Sequence, residues 1–209
     1  MNKYIGLRNE LKYALHVIFH PFDGFWDMKH EKRGSLRASM ALVFMLIIVF
    51  VVEDQFTGYY FSNSKPKSIL IQITSVLLPL FIWCVSNWCI TTLMDGKGSF
   101  NDILTASGYA LTPMLLIHIP LIIISNVATA DNAAFYSILS FVAIAWSVLL
   151  MFVAIMMVHQ FTASKALATC FLAIVGMAVI VFLVVTFLAI IQQVYDLFYT
   201  IWRELVLRF

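Results

Sequence analysis

The chain has 209 residues, of which 62% are hydrophobic and 11% are charged, and its formal net charge is +2. A soluble domain carries about 25% charge, so the composition excludes a water-soluble protein and specifies an integral membrane protein. The small net charge gives no argument for a nucleic-acid partner. Cys84, Cys89 and Cys170 fall in apolar runs without disulfide or metal spacing, and read as buried thiols.

Residues 1–35 form an amino-terminal segment on the cytoplasmic side. Within it, residues 3–19 read as a basic amphipathic helix on the membrane surface. Tyr4, Leu7, Leu11, Ala14, Leu15 and Ile18 share one face, with Lys3, Arg8 and Lys12 elsewhere. Pro21 ends that helix, and Phe22, Phe25 and Trp26 follow as aromatics suited to the headgroup layer. The basic residues are spread from Lys3 to Arg37 with no short apolar core behind them, so the segment does not read as a cleavable signal. His16 and His20 lie one helical turn apart, yet Pro21 interrupts the helix behind them. They read as interfacial histidines, and no metal or cofactor is expected.

Five runs are then long enough to cross a bilayer, which takes about 20 apolar residues. They are Leu36–Val52, Ile69–Leu93, Tyr109–Ser125, Ala134–Val158 and Ala166–Ile191. The third is the shortest and carries Pro113 and Pro120, which suggests a bent or partly re-entrant span. Lys3, Arg8, Lys12, Lys29, Lys32, Arg33 and Arg37 gather at or before the start of the first run, and Lys97 and Lys165 mark later loops on the same side. The loop near Asp131 has no basic residue, while Lys65 and Lys67 of the first loop are offset by Glu53 and Asp54. This pattern places the amino terminus in the cytoplasm and the carboxyl terminus outside a cell membrane.

Between the second and third runs, charge, glycine and proline crowd together. Asp95-Gly96-Lys97-Gly98 is turn chemistry, with both glycines free to take positive φ. Ser99 with Asp102 three residues on predicts a helix cap. A helix starting at Phe100 puts Ile103, Leu104, Ser107 and Leu111 on one face with it. Gly108 and Ala110 allow close approach of another helix. Pro113 cannot donate to the Tyr109 carbonyl, so the helix should kink or restart there. The segment otherwise reads as a loop along the membrane surface.

Residues 192–209 form a carboxyl-terminal amphipathic helix with Val194, Phe198, Ile201 and Leu205 in one stripe. Asp196, Thr200, Arg203 and Glu204 lie on other faces. The helix either extends the last span, lies on the surface or docks a partner. The fold class is therefore all-α integral membrane: a five-span domain over residues 36–191, flanked by amphipathic helices.

The interiors of the runs carry no acidic or basic residue, which argues against an ion-coupled transporter. Gln72, Asn87, Thr91, Thr92, Ser107, Asn126 and Ser147 read as interhelical hydrogen-bonding groups. His118 and His159 are isolated and receive no role. No paired carboxylates or nucleophile–base set lies at membrane depth, so no enzyme is expected.

The run NWCITTLMDGKGSFNDILTASGYALTP, from Asn87 to Pro113, resembles the signature region of the Yip (Ypt-interacting protein) membrane family in its prokaryotic form. A polar span end, a GGxGSF-like turn and a GYxxxP-like segment follow in that order. Gly96, Gly98, Ser99, Phe100, Tyr109 and Pro113 carry the match. His20-Pro21 is similar to the proline before the family's core, and the likeness covers about residues 20–191. The resemblance implies five spans with the amino terminus inside. Eukaryotic relatives bind small Rab-type GTPases through long amino-terminal regions, whereas this chain has residues 1–35 there. Some prokaryotic members resemble accessory proteins of carbohydrate uptake systems. The resemblance thus implies a membrane scaffold or accessory subunit, in contact with lipid and with a partner such as the permease subunits of an ABC-type system. Asp95–Phe100, Asp102, Gly108, Tyr109 and Pro113 would shape its interaction surface. The alternative is a passive channel or uniporter built around Pro79, Pro113 and Pro120.

Overall fold

A computed structural model describes residues 7–58, 67–127 and 133–208. Lys3, Tyr4, Lys65 and Asp131, used above for the amino-terminal face and the orientation, lie outside these residues, as do the side chains of Leu7 and Arg8. The described chain is helical: α1 (Leu7–Phe19), α2 (Pro21–His30), α3 (Leu36–Phe56), α4 (Ile69–Leu93), α5 (Phe100–Ala110), α6 (Thr112–Val127), α7 (Ala133–His159) and α8 (Ala163–Arg208). Five stretches are long and apolar enough to cross a membrane: α3, α4, α5 with α6, α7 and α8.

The third crossing differs most from expectation. It covers Phe100–Val127 rather than Tyr109–Ser125, and the segment read as a surface loop is its first half. Ala106, Ser107, Gly108 and Ala110 are too small to register as a greasy run, yet all are buried, because small residues suit tight helix contacts. Helix α5 is buried on nearly every side, including Thr105 and Tyr109 outside the expected stripe. The helix restarts at Pro113. The Tyr109 carbonyl, which Pro113 cannot serve, accepts the Thr112 hydroxyl at 2.6 Å, and α6 begins at once.

The amino-terminal segment is two helices packed onto the bundle. Ala14, Val17 and Ile18 are buried while Leu15 is exposed, so the packed face is turned from the expected one. Phe25 is core, with 0% of its surface exposed, whereas Phe22 and Trp26 remain outside. Tyr13 donates to the Gly24 carbonyl at 2.6 Å, Tyr109 to the Glu10 carbonyl at 3.2 Å, and Ser35 to the Glu10 carboxylate at 2.5 Å. These bonds tie α1 to α2, α5 and the cap of α3. Burial beside Asp27 raises the Tyr13 hydroxyl above its ordinary pKa.

Interhelical hydrogen bonding falls largely to residues other than those expected. Ser39 on α3 donates to the Leu104 carbonyl at 3.1 Å, and a Cβ on Gly108 would lie 2.1 Å from the Ser39 Oγ. Ser86 on α4 donates to the Ala173 carbonyl at 2.6 Å, beside Gly176. Thr91 and Thr92 instead bond back to carbonyls of their own helix, as hydroxyls in helices commonly do. Asn126 does bridge helices, donating to the Phe56 carbonyl at 2.8 Å.

The last helix is a single unbroken rod of 46 residues, so residues 192–208 extend the span rather than forming a separate element. At about 1.5 Å per residue it is about 69 Å long, against about 40–45 Å for a bilayer with its headgroups. Ala166, Thr169 and Ala173 pack against the bundle, with α4 as the main neighbour. From Val181 to Leu207 every residue is exposed.

Candidate functional site

The most connected region lies where α2, the α4–α5 turn and the α7–α8 turn meet, at the end of the bundle that carries the amino-terminal helices. Helices α4 and α7 end here in the same way. Asp95 follows α4 at φ 57°, and the Gly96 N–H returns to the Thr91 carbonyl at 2.8 Å. Gln160 follows α7 at φ 56°, and the Phe161 N–H returns to the Met156 carbonyl at 2.9 Å. Both are Schellman closures with a non-glycine residue in the left-handed position. Lys32, just beyond α2, has φ 54°.

The glycines of the turn therefore serve close approach rather than positive φ, which corrects the expectation for Gly96 and Gly98. A Cβ on Gly96 would lie 2.5 Å from His159 Nδ1, and one on Gly98 would lie 2.6 Å from Val158 Cγ1 and 2.7 Å from His159 Cε1. The turn lies against the end of α7. The Gly98 N–H donates to His159 Nδ1 at 3.2 Å. A ring that accepts at Nδ1 carries its proton on Nε2. That Nε2, with the amide of Asn87, lines a cavity of about 10 Å³ between α4, α5 and α7 and has no partner among the described residues. The volume suits one water molecule, the ordinary solution for buried polar groups of this kind. His159, assigned no role from sequence alone, thus joins the α4–α5 turn to the end of α7.

Lys29 on α2 joins the same knot. Its ammonium donates to the Lys97 carbonyl at 2.8 Å and to the Val158 carbonyl. Burial pulls its pKa below the ordinary lysine value; Asp102 acts in the opposite sense and Lys97 in the same one. Lys97 donates to Gln160 Oε1 at 2.7 Å, and Gln160 Nε2 lies 3.1 Å from His30 Nε2. Ser99 and Asp102 form a reciprocal capping box at 3.3 and 2.9 Å that starts α5.

The sequence-derived residues divide by placement. Asp95, Lys97 and Ser99 are exposed on the end surface, Gly96, Gly98, Phe100 and Asp102 are half-buried beneath it, and Gly108, Tyr109 and Pro113 are buried inside the bundle. The last three shape packing and present no surface.

A second network sits at the opposite end. Helix α3 continues through Glu53 to Phe56, so a carboxylate lies within a spanning helix, contrary to the uncharged first span expected. Glu53 Oε2 lies 2.8 Å from His118 Nδ1 on α6, and Glu53 Oε1 accepts the Tyr136 hydroxyl of α7 at 2.7 Å. The His118 and Glu53 side chains are 7% and 18% exposed. Nearby, the Gly58 N–H donates to Ser125 Oγ at 3.1 Å, and a Cβ on Gly58 would lie 2.1 Å from the Ser125 carbonyl oxygen. His118 looks isolated in sequence because its partner Glu53 is 65 positions away in another helix; a carboxylate just past an apolar run was the signal available.

No curated protein and no solved structure matches this chain. The family model of the Yip1 domain matches residues 15–200. That match takes in the end of α1, all of α2, the first four crossings, the end knot and α8 as far as Thr200, and the protein therefore belongs to the Yip1 domain family.

Proposed function

We propose that the protein is a non-catalytic multi-pass scaffold or accessory subunit that assembles with another membrane complex through α8. The observation that carries this reading is the isolation of α8. It leaves the bundle near Val181 and runs on to Arg208, with Val194, Phe198, Ile201 and Leu205 all at least 48% exposed. Those residues lie beyond the length a bilayer can cover, and an apolar helix face of this size in water favours a protein neighbour. The opposite face carries Asp196, Thr200 and Arg203, as a helix docked on one side would.

The orientation belongs to the same proposal. The basic residues at and before the start of α3 favour an amino terminus in the cytoplasm, and five crossings of a cell membrane then put the α8 extension outside. The knot at the amino-terminal end ties α2 to the α4–α5 and α7–α8 turns and offers Asp95 and Lys97 as a smaller cytoplasmic contact surface. Permease subunits of an ABC-type carbohydrate uptake system fit as the partner implied by the resemblance.

The test is purification from native membranes in a mild detergent, with mass spectrometry of whatever accompanies the full-length chain. A stoichiometric membrane partner recovered with the intact chain, but not with Phe198→Asp/Ile201→Asp, supports the reading. Equal recovery by both overturns the α8 assignment. Solute flux through vesicles holding the pure protein would instead favour a passive channel.

A further inference from the structure

A cavity of about 200 Å³ opens between α2, the turn from α2 to α3, α5 and the end of α7, beside the knot. Its polar lining is Lys29, Lys32, Asp102 and Thr105, with Gly34 at one edge and Met28 and Val158 as an apolar wall. The volume is several times the about 30 Å³ share of one water molecule, so it suits a polyatomic group.

The electrostatics around the cavity are unbalanced. Two lysines and one carboxylate leave one positive charge. Asp102 already accepts from the Ser99 N–H and answers the dipole of α5. Helix α3 begins at Leu36, two residues past Gly34, and has no acidic residue in its first turn. It carries Arg37 there instead, the unfavourable sign for a helix amino terminus. Arg33 has acidic partners in Asp27 and Glu31, at 3.3 and 2.6 Å, while Lys32 and Arg37 have none among the described residues. Lys29 uses two of its three ammonium hydrogens on carbonyls, leaving one. Exposed Phe19, Phe22 and Trp26 sit on the adjoining helices and mark the level of lipid headgroups.

We propose that this cavity holds the phosphodiester group of an anionic lipid headgroup. A single negative charge matches the single positive excess, phosphate oxygens accept from Lys32 and the free Lys29 hydrogen, and the Met28–Val158 wall suits the glycerol carbons. This inference is independent of what α8 docks.

The probe is native mass spectrometry of the full-length protein from micelles holding phosphatidylglycerol and phosphatidylcholine in equal amounts. The intact protein should retain one phosphatidylglycerol in preference to phosphatidylcholine. Lys32→Gln, a change at an exposed position, should lower that retention about tenfold, the loss of one charge-assisted hydrogen bond. Lys12→Gln, on the exposed face of α1, should leave it unchanged. Equal retention by Lys32→Gln overturns the site, as does an equal loss in Lys12→Gln, which would mean a diffuse surface effect. Equal retention of phosphatidylcholine overturns the anionic assignment. Displacement of the lipid by an equal concentration of inorganic phosphate would assign the cavity to free phosphate instead.

Discussion

At the amino-terminal end of the bundle, Lys29 and His159 reach main-chain groups of other segments; at the opposite end, Glu53 meets two side chains, His118 and Tyr136. The first arrangement depends on where the backbone goes, and so on glycines and turn closures. The second depends on the chemistry of three side chains held by three separate helices. Both join elements that are distant in sequence, but they should fail in different ways. A carboxylate removed from a buried site leaves its partners short of hydrogen bonds, whereas a methyl added beneath a turn forces the backbone aside.

The largest effect is expected at the far end. Glu53→Ala deprives His118 and Tyr136 of their shared acceptor and should destabilise the protein by about 3 kcal/mol, read from thermal melting of the purified protein in detergent. Glu53→Gln keeps an acceptor and should cost about 1 kcal/mol. Equal losses for the two variants would break the contrast, because charge alone would then be the cause. At the near end, Gly98→Ala places a Cβ 2.6 Å from Val158 Cγ1 and should cost about 2 kcal/mol. The same melt combined with Lys29→Met should show non-additive losses, since both act on one knot. The smallest effect runs the other way. Asp95→Gly relieves a left-handed non-glycine residue at the end of α4 and should stabilise by about 1 kcal/mol. A loss of stability there would mean that the Asp95 side chain does something its geometry does not show.

Much of the architecture was legible because hydropathy and length are local properties. The start of α5 was readable from Ser99 and Asp102, and its end from Pro113, since capping and proline effects act over three or four residues. The third crossing is hard to read for a physical reason: Ser107 and Gly108 lower local hydropathy, and Gly108 is there for the tight contact with Ser39. The glycines of the α4–α5 turn were visible, but their purpose was not, because it is set by His159, 61 positions from Gly98. Glu53 stood just outside an apolar run, a visible signal, but its partners His118 and Tyr136 lie 65 and 83 positions away in other helices. The folding of α1 and α2 onto the helices was likewise hidden, since a helix face that meets lipid and one that meets protein have similar composition.

The unbroken length of α8 has a consequence for geometry at a distance. A straight helix couples reach and rotation: each residue removed from the Gln192–Gln193 region shortens the rod by only about 1.5 Å but turns everything beyond it by about 100°. Deleting one residue would swing Phe198 and Ile201 away from whatever they meet while hardly altering their height. Deleting seven would restore their bearing to within about 20° and lower them by about 10.5 Å. The helix thus acts as both a spacer and a compass needle, and these two deletions separate the two roles.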